Sequence, residues 1–172
     1  NPESIETPED FPAFELLVSG DRRHFVYATG GEGVPTEVHS VSTTGEGEPR
    51  KYDGYTPLLT PDSGPELFVP FYDEDSDAIH VGMVDLNRGG ETEIVADGSP
   101  IDLTASGSKV LTEEDDEDTE TTSIYLVDIA SGEKDLLNID SDASILGMSP
   151  DGTKVLYWIS PGDDYYPEAY LL

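Results

Sequence analysis

Ile145-Leu146-Gly147-Met148-Ser149-Pro150-Asp151-Gly152-Thr153-Lys154-Val155-Leu156-Tyr157-Trp158 reads as strand, tight turn, strand. Proline presets φ for a turn, aspartate bonds its own backbone, and glycine takes a positive φ without a Cβ clash. The flanking apolar residues are largely β-favouring types. A lone hairpin decides little, but the chain repeats this one.

Fainter copies run Ser19-Gly20-Asp21-Arg22-Arg23-His24, Thr60-Pro61-Asp62-Ser63-Gly64-Pro65-Glu66 and Thr104-Ala105-Ser106-Gly107-Ser108-Lys109. Counted at the first residue after each turn (His24, Glu66, Lys109, Lys154), the steps are 42, 43 and 45 residues. A second landmark, a strand ending Val41-Ser42, Val84-Asp85 or Val127-Asp128 before a Gly-containing turn, steps by 43 and 43. Two landmarks with one period define a repeat array. Four short strands per unit of this length is the pattern of a β-propeller blade, a small sheet that buries its faces only against its neighbours.

The expected fold is therefore all-β: a β-propeller segment of about four four-stranded antiparallel blades, the last incomplete. An extended lead-in is expected over residues 1–11, with blades at 12–54, 55–97, 98–140 and 141–172. In the second repeat the strands are expected at Thr56–Leu59, Glu66–Phe71, Ile79–Asp85 and Thr92–Val95. The fourth repeat stops at its third strand, Glu168 to Leu172, which predicts an open blade edge and self-association through it.

Charge sets the chain apart. It carries 38 acidic against 8 basic residues in 172, a net −30, and only four lysines: Lys51, Lys109, Lys134 and Lys154. Such a charge repels nucleic-acid backbones and anionic membranes, so neither is an expected partner. It also fits a halophilic protein, since molar salt shortens the screening length to about 3 Å. With no cysteine, disulfides and thiol chemistry are excluded. No targeting signal or long apolar run opens the chain, giving a soluble, cytoplasmic expectation with an extracellular location left open.

Ser149-Pro150-Asp151-Gly152-Thr153-Lys154-Val155-Leu156-Tyr157 resembles the repeat of TolB-like propellers and of the propeller domain of prolyl-oligopeptidase-type serine peptidases. Ile124-Tyr125-Leu126-Val127-Asp128-Ile129-Ala130-Ser131-Gly132-Glu133 resembles the later half of that repeat. Thr7-Pro8-Glu9-Asp10-Phe11 is similar to the opening of some acylaminoacyl-peptidase-like chains. The resemblance implies a non-catalytic N-terminal propeller that gates and orients peptide substrates for a hydrolase domain lying elsewhere. The alternative is a free-standing TolB-like propeller that binds a protein or ligand. Either reading implies a peptide or protein partner.

No Gly-x-Ser-x-Gly elbow occurs here, so no catalytic residue is assigned. No metal or other cofactor is assigned either. His24, His39 and His80 fall on predicted strands, the last two at similar places in successive repeats. Asp73-Glu74-Asp75-Ser76-Asp77 opens like a calcium loop but continues with Ala78 and Val84 where glycine and glutamate are needed, and the run from Asn138 fails likewise. The acidic run Glu113–Glu120 reads as a hydrated hairpin loop.

Residues that recur in every repeat point to architecture. Asp21, Gly64, Gly107, Asp151 and Gly152 are therefore turn residues, with Ser63 and Ser106 equivalent to Asp21 and Asp151. Residues that break the repeat are the binding candidates: Trp158, Tyr165 and Tyr166. Packing between blades is the competing reading for these aromatics.

The charge makes a direct prediction. Dilution to roughly 10 mM ionic strength lengthens screening to about 30 Å and exposes the self-repulsion of 38 carboxylates. The melting temperature is expected to rise steadily with salt into the molar range. A melting temperature indifferent to salt would defeat the halophilic reading.

Overall fold

The computed structural model describes residues 13–31, 34–116, 121–139, 143–159 and 168–171. Among them are fourteen strands and no helix, arranged as four antiparallel sheets that follow one another along the chain. Blade 1 orders β1 (Ala13–Val18), β2 (His24–Gly31), β3 (Val34–Ser42) and β4 (Arg50–Tyr52) from inside to outside. Blade 2 holds β5 (Glu66–Asp73), β6 (Ala78–Asp85) and β7 (Glu93–Asp97). Blade 3 holds β8 (Ser99–Leu103), β9 (Lys109–Asp116), β10 (Thr121–Asp128) and β11 (Lys134–Leu137). Blade 4 holds β12 (Ala143–Met148), β13 (Val155–Ile159) and β14 (Glu168–Leu171). Every sheet is a chain-order meander of hairpins. The lead-in over 1–11 lies outside the described residues.

One expected strand is missing. The segment before β5 meets it at a single bridge, Leu59 to Phe68, closed by reciprocal hydrogen bonds of 2.9 and 2.8 Å. Tyr55 N–H adds one more to the Pro70 carbonyl, 2.9 Å. Pro57, between them, has no N–H to donate and interrupts the ladder, so no fourth strand forms. The inner strands of blades 1, 3 and 4 are complete, and each has a bulge.

The apolar residues are shared between sheets. Val26, Ala28, Val38 and Tyr52 of blade 1 pack on Leu58, Leu67, Val69, Val84 and Leu86 of blade 2. From the other face of blade 2, Phe68, Val81 and Ala96 pack on Val110 and Val127 of blade 3. This explains why β5 buries four consecutive residues, Leu67 to Pro70, where a half-exposed strand would alternate: both of its faces are covered. Leu16 and Val18 of blade 1 and Leu146 and Leu156 of blade 4 are instead exposed.

The turns after the inner strands tie the blades together. In blade 4, Ser149 Oγ accepts from Lys154 N–H and donates to Asp151, which accepts from Thr153 N–H. Ser19 and Asp21 repeat this in blade 1, and Thr104 with Ser106 in blade 3. The fully exposed Asp151 carboxyl is drawn down to about 2 by the Ser149 and Thr153 bonds. Burial pushes Asp21 up, but the bonds from Ser19, Arg23 and Asn87 outweigh it and hold it below the usual range. The second turn departs from the pattern. It is one residue longer, and Ser63, expected to match Asp21, has no such bond. Gly64 there takes φ +107°, while Gly107 and Gly152 both take +69°.

Successive turns are joined through backbone. Asp21 N–H donates to Gly64 O (2.8 Å), Asp62 N–H to Ala105 O (2.8 Å), and Ala105 N–H to Pro150 O (2.9 Å). Gly20 makes the first of these approaches feasible: a Cβ there would fall 2.2 Å from the Pro61 carbonyl oxygen. Side chains add to the chain of contacts, with Glu15 accepting from Leu58 N–H (3.0 Å) and Asp102 from Met148 N–H (2.6 Å).

Among the described residues Phe68 is the largest fully buried side chain, and it belongs to the core shared by blades 2 and 3. Phe68→Ala is expected to cost about 3–5 kcal/mol, read from a denaturant midpoint at constant slope. A loss below about 1 kcal/mol would contradict a core built between sheets.

Candidate functional site

The inner strands begin at the end of the molecule opposite the turns, and blades 2 and 3 meet there over a one-residue connection. β7 ends at Asp97, Gly98 follows with φ +82°, and β8 begins at Ser99. Gly98 N–H bonds to Ile79 O (3.0 Å), and a Cβ on Gly98 would lie 2.4 Å from the Glu113 carbonyl oxygen. Only glycine fits that backbone at that distance.

Two clefts that share Ser99 and Glu113 open at this seam. One, of about 480 Å³, is lined by Pro57, Pro100, Ile101, Ile124 and Ile145 from blades 2, 3 and 4. The other, of about 550 Å³, is lined by Tyr72, Asp77, Asp97, Glu114 and Asp115. The first sets its apolar side chains beside Thr122 and Ser144, and the second is acidic. Glu113, at the junction, is pushed up by burial and then by the Asp115 charge, although the residue keeps an exposed edge.

A polar network spans the seam. Lys134 Nζ, from the outer strand of blade 3, reaches Asp97 Oδ2 at 3.1 Å and Glu114 Oε1 at 2.8 Å, and lies 5.1 Å from the centre of the Tyr125 ring. The Lys134 bond draws Asp97 below the usual carboxylate range against the opposing effect of burial. The bond to Glu114 draws Lys134 upward. On the far side of Asp97, His80 Nδ1 is 3.2 Å from Oδ1 but is not aligned for a hydrogen bond, and it is otherwise buried without a partner.

Ser76 Oγ lies 3.0 Å from His80 Nε2, so Ser76, His80 and Asp97 have the order of a nucleophilic triad. The proton polarity runs the other way. Ser76 gives its only hydroxyl proton to Asp73 Oδ2 at 2.8 Å, which lowers Asp73. His80 Nε2–H then donates to Ser76, whereas an activated serine donates to histidine. The group orders the hairpin at 73–78, to which Tyr72 adds a short bond to Asp77.

His39 and His80 stand at different heights. His39 pairs with Tyr27, three residues past His24, and stacks on it with ring centres 5.1 Å apart. His80 pairs with Phe71, five residues past Glu66. Two residues of strand separate the heights by about 7 Å. Ser42 and Asp85, which end the two strands, are 43 residues apart and the histidines 41, so His39 lies three residues before its strand end and His80 five. His39 contacts Glu37 at 3.3 Å, and no group of three or more potential metal ligands occurs among the described residues.

Of the residues singled out in the sequence, Trp158 sits half-buried on β13 between Ser144 and Ala169 and lines neither cleft. Tyr165 and Tyr166 lie outside the described residues. Asp21, Gly64, Gly107, Asp151 and Gly152 all lie in the turns at the other end. The sequence pattern does not bring Asp97, Glu114 and Lys134 together as a group. The available signal was Lys134 itself, one of four lysines in a chain of net charge −30.

Lys134→Met leaves Asp97 and Glu114 without their shared cation. The expected loss is about 1 kcal/mol, because the network is partly exposed. A carboxylate held low in the folded state stabilises above the unfolded pKa and loses that contribution as pH falls through the folded value. The difference between wild type and variant should thus be level from about pH 5 to 7 and shrink on the acid side of the ordinary carboxylate range. A difference that grows on acidification would refute the network.

Comparisons with known proteins come from structure alone: neither the family models nor the curated proteins gave a match. The chain is similar to the β-propeller domain of the trilobed protease from Pyrococcus furiosus, with TM-score 0.67 and 12% identity over 94% of this chain and 53% of that one. It is similar to the acylaminoacyl peptidase of Pyrococcus horikoshii, with TM-score 0.68 and 10% identity over 94% and 31%. It is similar to TolB from Acinetobacter baumannii, with TM-score 0.59 and 17% identity over 89% and 39%. The chain thus spans about half or less of each of these proteins. Its fold is that of a β-propeller segment resembling TolB and the propeller domains of peptidases.

Proposed function

We propose that this chain is the non-catalytic propeller segment of a prolyl-oligopeptidase-like serine peptidase, and that its seam between blades 2, 3 and 4 admits and orients peptide chains. The observation that carries this reading is the pair of adjoining clefts at the end where the inner strands begin, one with an apolar wall of Pro57, Pro100, Ile101, Ile124 and Ile145 among polar groups, the other acidic. An apolar wall takes peptide side chains without selecting strongly among them. The carboxylates of Asp97, Glu113, Glu114 and Asp115 beside it attract a free N-terminus or a basic side chain. Likeness to two peptidase propellers supports the peptidase assignment, and likeness to TolB supports the second reading, a free-standing propeller that binds a protein or ligand.

Two measurements divide the readings. Short peptides labelled with a fluorophore are expected to bind more tightly when they carry lysine or arginine. That preference should fade with salt and fall in Glu113→Gln. Equal binding of acidic and basic peptides would remove the seam from consideration. A fluorophosphonate probe applied to the protein as the cell makes it is expected to label a serine outside residues 1–172. Labelling of Ser76 would show that the proton polarity derived above is wrong, and no labelling at all favours the free-standing propeller.

A further inference from the structure

A third cleft, of about 430 Å³, opens at the opposite end of the strands, where the turn of blade 1 meets the turn of blade 2. Val18, Ser19, Gly20, Arg22, Pro61 and Asp62 line it. Its volume is in the range of small-ligand sites. Its charge is exceptional for this protein: Arg22 and Asp62 balance in a chain of net −30.

Arg22 breaks the repeat. At the same turn position blades 3 and 4 have Gly107 and Gly152 at φ +69°, and Arg22 is held at φ +60°. A residue with a Cβ is strained there, and such strain collects where a side chain is needed. Ser19 O accepts from Arg22 N–H (2.8 Å) and Thr43 Oγ1 donates to Arg22 O (3.2 Å), so the backbone is fixed while the side chain projects. Arg50 is engaged by the Leu86 carbonyl and Arg88 by Asp85. Among the described residues the guanidiniums of Arg22 and of the adjacent Arg23 have neither hydrogen-bond nor ion-pair partner. In a chain with 38 carboxylates, an unpaired arginine lining a cleft, with a second unpaired arginine next to it in the chain, is a place where an anion gains a partner.

We propose that this cleft binds the C-terminal carboxylate of a peptide, with Arg22 as its fork-shaped donor and Val18 and Pro61 in contact with the last side chain. Guanidinium and carboxylate match as planar, two-bond partners. Val18 is 45% exposed, an apolar surface at the edge of the anion site. The net charge repels phosphates and strongly acidic segments more than it repels a single carboxylate carried on an apolar residue. The site is separate from the seam between blades 2, 3 and 4.

Calorimetry at fixed ionic strength with N-acetyl-Ala-Leu as free acid and as C-terminal amide tests the assignment. The free acid is expected to bind at least about tenfold more tightly than the amide, the difference one charge-assisted pair supplies. Arg22→Gly should abolish that preference while keeping the melting temperature, since glycine is native to the equivalent turns of blades 3 and 4. Glu113→Gln should leave the preference intact, which separates this site from the seam. Equal binding of acid and amide, no binding of the acid, or undiminished binding by Arg22→Gly would each overturn the inference. A peptide amide with an internal glutamate that binds as well as the free acid would overturn the assignment to a C-terminus.

Discussion

The molecule depends on contact between neighbouring turns. Three backbone hydrogen bonds, from Asp21 to Gly64, Asp62 to Ala105 and Ala105 to Pro150, join four sheets whose shared cores are apolar. Apolar faces have no strong directional preference and would tolerate sliding. A hydrogen bond between main chains fixes both height and angle. The demand on sequence is severe at those points, as Gly20 shows, and slight elsewhere.

Fixing the turns fixes the other end as well. Short, stiff strands carry the register to Ser99, Glu113 and Ala143, where the seams widen into clefts. The polar groups at those seams follow one rule. Each carboxylate that reaches between blades meets a donor there: Glu15 a backbone N–H, Asp102 another, Asp97 the Lys134 ammonium. In a chain so rich in carboxylates, the few donors decide where acidic groups approach one another.

Much of this could be read in the sequence because turn chemistry is local. A turn of Ser, Thr, Asp and Gly residues after a hydrophobic strand, recurring every 42 to 45 residues, marks the blades, and the predicted strands of blade 2 after Glu66 agree with β5, β6 and β7 to within about two residues. What sequence pattern missed was long-range. Pro57 lies in a run that reads as a strand, yet the missing N–H matters only opposite Pro70 and Phe68. His39 and His80 are 41 residues apart, close to one period, and still stand at different heights, because a spacing two residues short of the 43-residue step between their strand ends is about 7 Å of strand. The Asp97–Lys134–Glu114 network joins residues that the repeat never aligns.

Because the buried cores among the described residues are shared by consecutive sheets, the effects of substitutions combine in a banded pattern. Changes at Phe68 and Val110 share a core and compensate or compound one another, while changes at Val26 and Val155 simply add. Evolution therefore negotiates one seam at a time. A seam that acquires a new pair of side chains need not consult the others, and drift can replace almost every residue without a moment at which the whole core must change together. Identities of 10–17% to proteins of the same fold are what such a construction permits.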